Sequence, residues 1–328
     1  MPVNDAPTSD PSADPSGDRP ANPPAGAPGS APGEPGQALL LFAVTLLLLI
    51  VIGSLSQAYR PGPGGTALTE VLAILLPALV FSRARRRHAL VALRLAPVGE
   101  SSLWAVLGGV LLGLGWFYLL AGWIEPLWEH WFPVPAADRA RLLRLLRPDG
   151  GLRPLGQDLL CFGAVPALCE EVLFRGALLP LLRPVVGPLR RPLGAVRVPQ
   201  GETALAVVTC ALLFGIFHLS WSKLFPTTLL GLGFGAAAVW SGSLWAAIAM
   251  HFVNNAVVVL LTRAGLDDAP PAAQTIATGQ GLLLAAAALL CIAAGHRVLL
   301  HAARLRMAAE TIADADTLAH GADLRRGD

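Results

Sequence analysis

Long apolar runs, broken by short polar or arginine-bearing stretches, set the organisation of this chain. A membrane helix needs about 20 mainly apolar residues. Runs of that kind fall at Ala38–Ser56, Thr66–Ser82, Ser101–Ile124, Leu155–Leu182, Thr203–Leu219, Leu224–Ser241, Ser243–Thr262 and Thr275–Ala294. The pattern predicts an all-α, polytopic transmembrane bundle of about eight spans. The breaks at Ser220–Lys223 and around Gly242 are short, so the spans flanking each are expected to be antiparallel neighbours. Residues Met1 to Gln37 are rich in Pro, Ala, Gly, Ser and Asp and nearly devoid of large apolar side chains. Such a segment cannot bury enough surface to offset its chain entropy and is expected to be disordered. The expected organisation is a tail at 1–37, a transmembrane domain at 38–300 with its reactive core at 155–262, and a polar tail at 301–328.

Composition agrees with the pattern. Hydrophobic residues make up 54% of the 328 positions and charged residues only 14%, whereas a soluble domain carries about 25% charge. A water-soluble enzyme is thereby excluded. Lys223 is the one lysine, and the Arg, Ala, Gly and Pro content points to a GC-rich bacterial genome. The expected location is the bacterial inner membrane. Basic residues cluster in loops, so their partner is the lipid bilayer surface and not nucleic acid. Arg83, Arg85, Arg86 and Arg87 follow the second run, Arg183, Arg190, Arg191 and Arg197 the fourth, and Arg297, Arg304 and Arg306 the eighth. All three groups face the cytoplasm if both termini do. The segment 136–153 carries five arginines on the expected outer side. Its alternation of Arg139, Arg141, Arg144 and Arg147 with Leu142, Leu143, Leu145 and Leu146 predicts an amphipathic helix lying in the interface. Gly109 with Gly113, and Gly231 with Gly235, have the spacing of close helix packing. Cys161, Cys169, Cys210 and Cys291 lie in apolar runs without a CxxC pair and read as small buried side chains.

Against this apolar background a few polar residues stand out. Glu170, Glu171 and Arg175 interrupt the run from Leu159 to Leu182. A carboxylate at the centre of a membrane helix costs roughly 2.5–3.5 kcal/mol, so a partner or a task is expected for each. Glu171 and Arg175 are one helical turn apart and can pair on one face; Glu170 points about a quarter-turn away. His218 closes the run Phe214-Gly215-Ile216-Phe217-His218, and His251 and Asn255 lie one turn apart on a later span. A carboxylate, two imidazoles and an amide on three spans match what amide hydrolysis inside a membrane requires. Water must be held and deprotonated, which suits Glu170 with His218. The oxyanion needs preformed donors, which suits His251 with Asn255. Glu171 and Arg175 are then structural. Simple alternation of spans puts His218 nearer the outer side than Glu170, so the fifth span must either run past Leu219 towards Phe225, stopping at Pro226, or tilt strongly.

The Glu-Glu-x-x-x-Arg, Phe-x-x-x-His and His-x-x-x-Asn runs, in this order, resemble those of the CPBP group, which includes type II CAAX prenyl endopeptidases and bacteriocin-processing or immunity proteins. The resemblance spans about Leu155 to Leu261 and extends to Gly242-Ser243-Leu244-Trp245-Ala246-Ala247 leading into His251. It implies an intramembrane endopeptidase whose partner is a membrane-associated peptide or protein substrate. Glu170 resembles the family's water-activating glutamate, assisted by His218; His251 and Asn255 match its oxyanion pair, and Glu171 and Arg175 the accompanying acid and base. The family is commonly labelled metalloprotease, which would make Glu170, His218 and His251 zinc ligands. The HExxH helix is absent, and a metal-free glutamate mechanism accounts for the same residues. Two other classes use the same features: a proton- or ion-coupled transporter, and a non-catalytic immunity or binding protein on the same scaffold.

Overall fold

A computed structural model describes residues 35–84, 99–147, 153–183, 201–266 and 279–324. Those residues form nine continuous helices and no strand. We number them α1 (Pro35–Tyr59), α2 (Pro63–Ala84), α3 (Glu100–Trp131), α4 (Ala136–Leu146), α5 (155–182), α6 (Gly201–Phe217), α7 (Trp221–Ser241), α8 (Leu244–Ala264) and α9 (Gly279–Leu324). The tail expected to be disordered lies, up to residue 34, outside the described residues, as do Arg85, Arg86, Arg87, Arg190, Arg191 and Arg197.

Six helices are long and apolar enough to cross a membrane: α1, α2, α3, α7, α8 and the Gln280–Ile312 part of α9. The chain is an integral membrane protein. The expected eight spans are thus approximate. The other two correspond to α6, which is short at 17 residues, and α5, which carries Glu170, Glu171 and Arg175. Burial separates centre from rim. Over their most apolar windows α7 and α8 are 56% and 50% buried, against 22% for α1 and 17% for α9. At the rim Leu40, Leu47, Leu283 and Leu290 are exposed, as lipid-facing side chains should be. Every residue from Cys169 to Leu179 of α5 is buried, so this stretch lies inside the bundle on all its faces.

Proline shapes the helices around the site. Four wide turns, with hydrogen bonds five residues back, occur at Glu70–Leu75, Leu120–Ile124, Leu159–Ala164 and Val172–Leu178. A proline follows each after one intervening residue: Pro77, Pro126, Pro166 and Pro180. Proline has no N–H, and its ring crowds the carbonyl four residues back. Widening the turn relieves that crowding and keeps the carbonyls bonded, as in Leu76 N–H to Val71 O and Leu179 N–H to Phe174 O.

Glycine brings α3 close to two neighbours. A Cβ on Gly113 would meet the Met250 carbonyl oxygen of α8 at 2.9 Å, and one on Gly115 the Ala288 oxygen of α9 at 2.6 Å. Gly231 and Gly235 of α7 admit Ala211 and Val207 of α6 in the same way. Both glycine pairs singled out by spacing therefore lie at helix contacts.

The extension of the fifth span towards Phe225 does not occur. α6 ends at Phe217, Leu219 takes a left-handed φ of 50°, Ser220 is extended, and α7 begins at Trp221 with Pro226 inside it. The chain reverses at His218 itself, and Pro226 lies inside the next helix and does not end the previous one. The amphipathic α4 buries Leu146 and leaves Arg141 and Arg144 exposed. At the same end of the bundle Asp158, fully buried near the start of α5, accepts from Arg153 Nε at 3.1 Å and from Arg263 Nη1 of α8. Arg153 also donates to the Leu145 carbonyl of α4, and Arg263 to the Arg153 carbonyl at 2.8 Å. One carboxylate thereby ties α4, α5 and α8. At the opposite end Arg306 of α9 donates to the Gly242 carbonyl, the left-handed cap of α7.

Removing one partner from a buried pair strands the others. Asp158→Ala is expected to cost about 3–5 kcal/mol, measured as a lowered unfolding midpoint in detergent. An unchanged midpoint would show that this network does not hold the three helices.

Candidate active site

The site is built from α5, α6, α7 and α8, and its geometry starts at Glu171. Its Oε1 accepts from Arg175 Nη1 at 2.8 Å, one turn along the same helix, and pairs with His251 Nδ1 of α8 at 3.0 Å. Both carboxylate and guanidinium are fully enclosed. Arg175 Nη2 also donates to the Gly231 carbonyl of α7 at 2.7 Å. Its guanidinium carbon lies 4.7 Å from the Phe214 ring centroid, 5.3 Å from that of Phe234 and 5.8 Å from that of Phe174. Aromatic faces supply partial negative charge to a cation held away from water.

The histidines are fixed by the same aromatic group. His251 stacks on Phe234 at 4.7 Å and meets Phe214 edge-on at 5.8 Å. His218 lies 5.0 Å from Phe214, and its Nδ1 donates to the Phe214 carbonyl at 2.9 Å. A carbonyl only accepts, so His218 carries its proton on Nδ1 and presents Nε2 as a base. His251 has Nδ1 committed to Glu171 and likewise presents Nε2. Asn255, one turn on, accepts from Asn254 Nδ2 at 3.4 Å, which leaves its own amide N–H groups available.

Glu170 is 9% exposed, and its Oε2 is shut from solvent with no hydrogen-bond partner. The charges that act on it are those of Glu70, His251, Glu171 and Arg175. His251 also acts on His218. The structure therefore gathers Arg175, His218 and His251 around Phe214, with Glu171 joined to the group through Arg175 and His251 and Glu170 next to it in the chain. Among the described residues no hydrogen bond joins Glu170 to His218 directly. No group of three His, Cys, Asp or Glu side chains there stands close enough together to hold a metal ion. As placed here Glu170, His218 and His251 do not form such a group, and no step below is routed through a metal.

Residues 155–257, which hold every one of these side chains, match the family model described as type II CAAX prenyl endopeptidase Rce1-like. This match, over about a third of the chain, supports membership of the CPBP family. No curated protein and no solved structure matches the chain. The CPBP match suggests a CAAX-type intramembrane protease, and a protease of that type in a membrane implies a membrane-embedded peptide substrate.

Two features around the site were not apparent from spacing. One is the Glu171–His251 pair, which joins residues 80 positions apart. The other is Glu70, whose turn in α2 packs against Val165–Glu171. The signal for Glu70 was weak, since it stands near the start of the apolar run Thr66–Ser82, where a carboxylate reads as interfacial. Beside the His218 turn, an open cavity of about 610 Å³ lies between Gly53, Ser54 and Gln57 of α1 and Arg141 and Arg144 of α4, reaching Leu219.

Arg175 compensates Glu171 from inside the bundle, and its loss leaves a buried carboxylate held only by His251. Arg175→Ala is expected to destabilise the protein by about 3–5 kcal/mol. Arg175→Lys recovers only part of this, because a single ammonium cannot match the fork that spans Glu171 and Gly231. Denaturant unfolding in detergent micelles measures both; wild-type stability in Arg175→Ala would contradict the assignment.

Proposed function

We propose that this protein is a glutamate-dependent intramembrane endopeptidase that hydrolyses a peptide bond of a membrane-associated protein or peptide. The supporting observation is the buried, unpartnered Oε2 of Glu170 beside a histidine that Glu171 holds in place. A buried carboxylate oxygen without a protein partner is a place for water.

Glu170 acts as the general base. It takes a proton from water as the oxygen attacks the carbonyl carbon of the scissile amide. His218 assists through Nε2, accepting a hydrogen bond from the same water. The tetrahedral oxyanion is met by donors from α8, the Nε2–H of a protonated His251 and the Nδ2–H of Asn255. Glu171 supports the charge on His251 through Nδ1. Glu170 then returns its proton to the amide nitrogen, the C–N bond breaks, and a carboxylic acid and an amine leave. No atom of the enzyme is bonded to the substrate at any stage. Zinc is not required in this scheme, because the base, the assisting imidazole and the oxyanion donors are all side chains.

The cavity between α1 and α4 suits an extended substrate chain arriving from the lipid side, with Arg141 and Arg144 at its mouth for anionic groups. The substrate class follows the family, whose name specifies a prenylated CAAX sequence; prenylated and unprenylated hydrophobic peptides are therefore tested together.

The test uses the full chain in lipid vesicles, a pool of such peptides and mass spectrometry of new termini. Wild-type protein is expected to generate new termini, and Glu170→Ala and His218→Ala to lower the rate by about 10²–10⁴-fold while remaining folded. His251→Ala should lose about 10²–10³-fold. Equal cleavage by Glu170→Ala, or no new terminus with wild type, contradicts the proposal. Chelation of active protein is expected to leave the rate unchanged, with less than one metal ion per chain by elemental analysis; loss of activity on chelation, restored by zinc, would instead assign a metal mechanism.

A further inference from the structure

Glu70 is the acid near the site that the scheme above leaves without a task. It opens the wide turn Glu70–Leu75 of α2, and this turn packs on the Val165–Glu171 stretch of α5 that ends in the two glutamates. Val71 and Leu72 of the same turn are 40% and 37% exposed, on the lipid side, whereas Ala73 and Ile74 are buried. Glu70 is partly exposed and lies at helical spacing from the buried Ala73 and Ile74. Its Oε2, like that of Glu170, is shut from solvent and has no protein partner. Glu70 is the first among the charges acting on Glu170, and both acids act on the thiol of Cys169.

Where these two turns pack, Oε2 of Glu70, of Glu170 and of Glu171 are all buried without a protein partner, which opposes stability. An unmet buried acceptor costs stability, and an apolar side chain at position 70 would pack in a lipid-bounded helix without that cost. Two carboxylates enclosed together also repel if both are charged, so one carries a proton. The arrangement that meets both needs is a water molecule between them, accepting from the protonated acid and donating to the charged one.

We propose that Glu70 is the second carboxyl of the site and holds the reacting water between its Oε2 and that of Glu170. This rests on the assignment of Glu170 as base. Protonated Glu70 donates to a lone pair of the water and orients it, while one O–H of that water points at Glu170. On attack the proton of that O–H passes to Glu170, the C–O bond forms, and Glu70 keeps its own proton. Glu170 then delivers the transferred proton to the leaving nitrogen as the C–N bond breaks. The two acids end the cycle with the one proton they began with.

The experiment compares Glu70→Leu, Glu70→Gln and Glu170→Ala in the same vesicles, reading kcat, KM and the unfolding midpoint. Glu70→Leu is expected to lower kcat about 100-fold, with KM unchanged and an unfolding midpoint equal to or above wild type. Glu70→Gln keeps a hydrogen-bonding head and is expected to lose only about five- to tenfold in kcat. A merely structural Glu70 gives the reverse pattern, with wild-type kcat in both variants and a lowered midpoint in Glu70→Leu. Should Glu70→Leu fail to fold, Glu70→Gln decides: wild-type kcat overturns the proposal. Wild-type kcat in the Glu70 variants with an inactive Glu170→Ala removes Glu70 alone, whereas an active Glu170→Ala removes the base and Glu70 together.

Discussion

One carboxylate oxygen holds the reactive core together. Glu171 Oε1 accepts from Arg175 on its own helix and pairs with His251 on another, and Arg175 reaches on to the Gly231 carbonyl of a third. The fourth helix enters through Phe214, whose ring lies under Arg175 and whose carbonyl holds His218. Inside a bilayer no water is available to replace these partners, so the group must form as a set. The consequence is orientation. With Nδ1 committed on each ring, both histidines turn Nε2 outward as the available group.

Charge of this kind is tolerated because the surrounding helices are built to enclose it. Proline at positions 77, 166 and 180 widens the preceding turns of α2 and α5, and two of those turns carry Glu70 and Arg175. Glycine in α3 lets that helix lie against α8 and α9 with backbone almost in contact. At one end of the bundle Asp158 draws α4, α5 and α8 together, and at the other Arg306 caps α7. The turn at His218–Ser220 is irregular, with a left-handed Leu219.

Much of this was legible in the chain. The all-α class and the order of the helices followed from the apolar runs, because backbone satisfaction inside lipid leaves little choice but helix, whereas the count of eight spans was approximate. Helix ends were less legible. The helix α9 continues to Leu324, far beyond the apolar run that closes at Ala294, since hydropathy marks the end of lipid contact and not of helical hydrogen bonding. The end of α6 depends on a reversal at Leu219 that no Gly or Pro announces. Glu171 with Arg175 could be paired from i,i+4 spacing, but its bond to His251 depends on how two distant helices cross. Glu70 stood at the start of a span, where a charge reads as interfacial, and only the packing of α2 on α5 turns it inward.

The central claim is that Glu170 removes a proton from water and does not itself attack the substrate. A single turnover in H₂¹⁸O, with enzyme in excess over peptide, tests it most directly through the mass of the newly formed carboxylate. Water attack predicts one ¹⁸O atom in the product of that first turnover and an enzyme of unchanged mass. A first-turnover product carrying ordinary oxygen, with the label appearing in Glu170, would mean that the carboxylate is the nucleophile and would contradict the account.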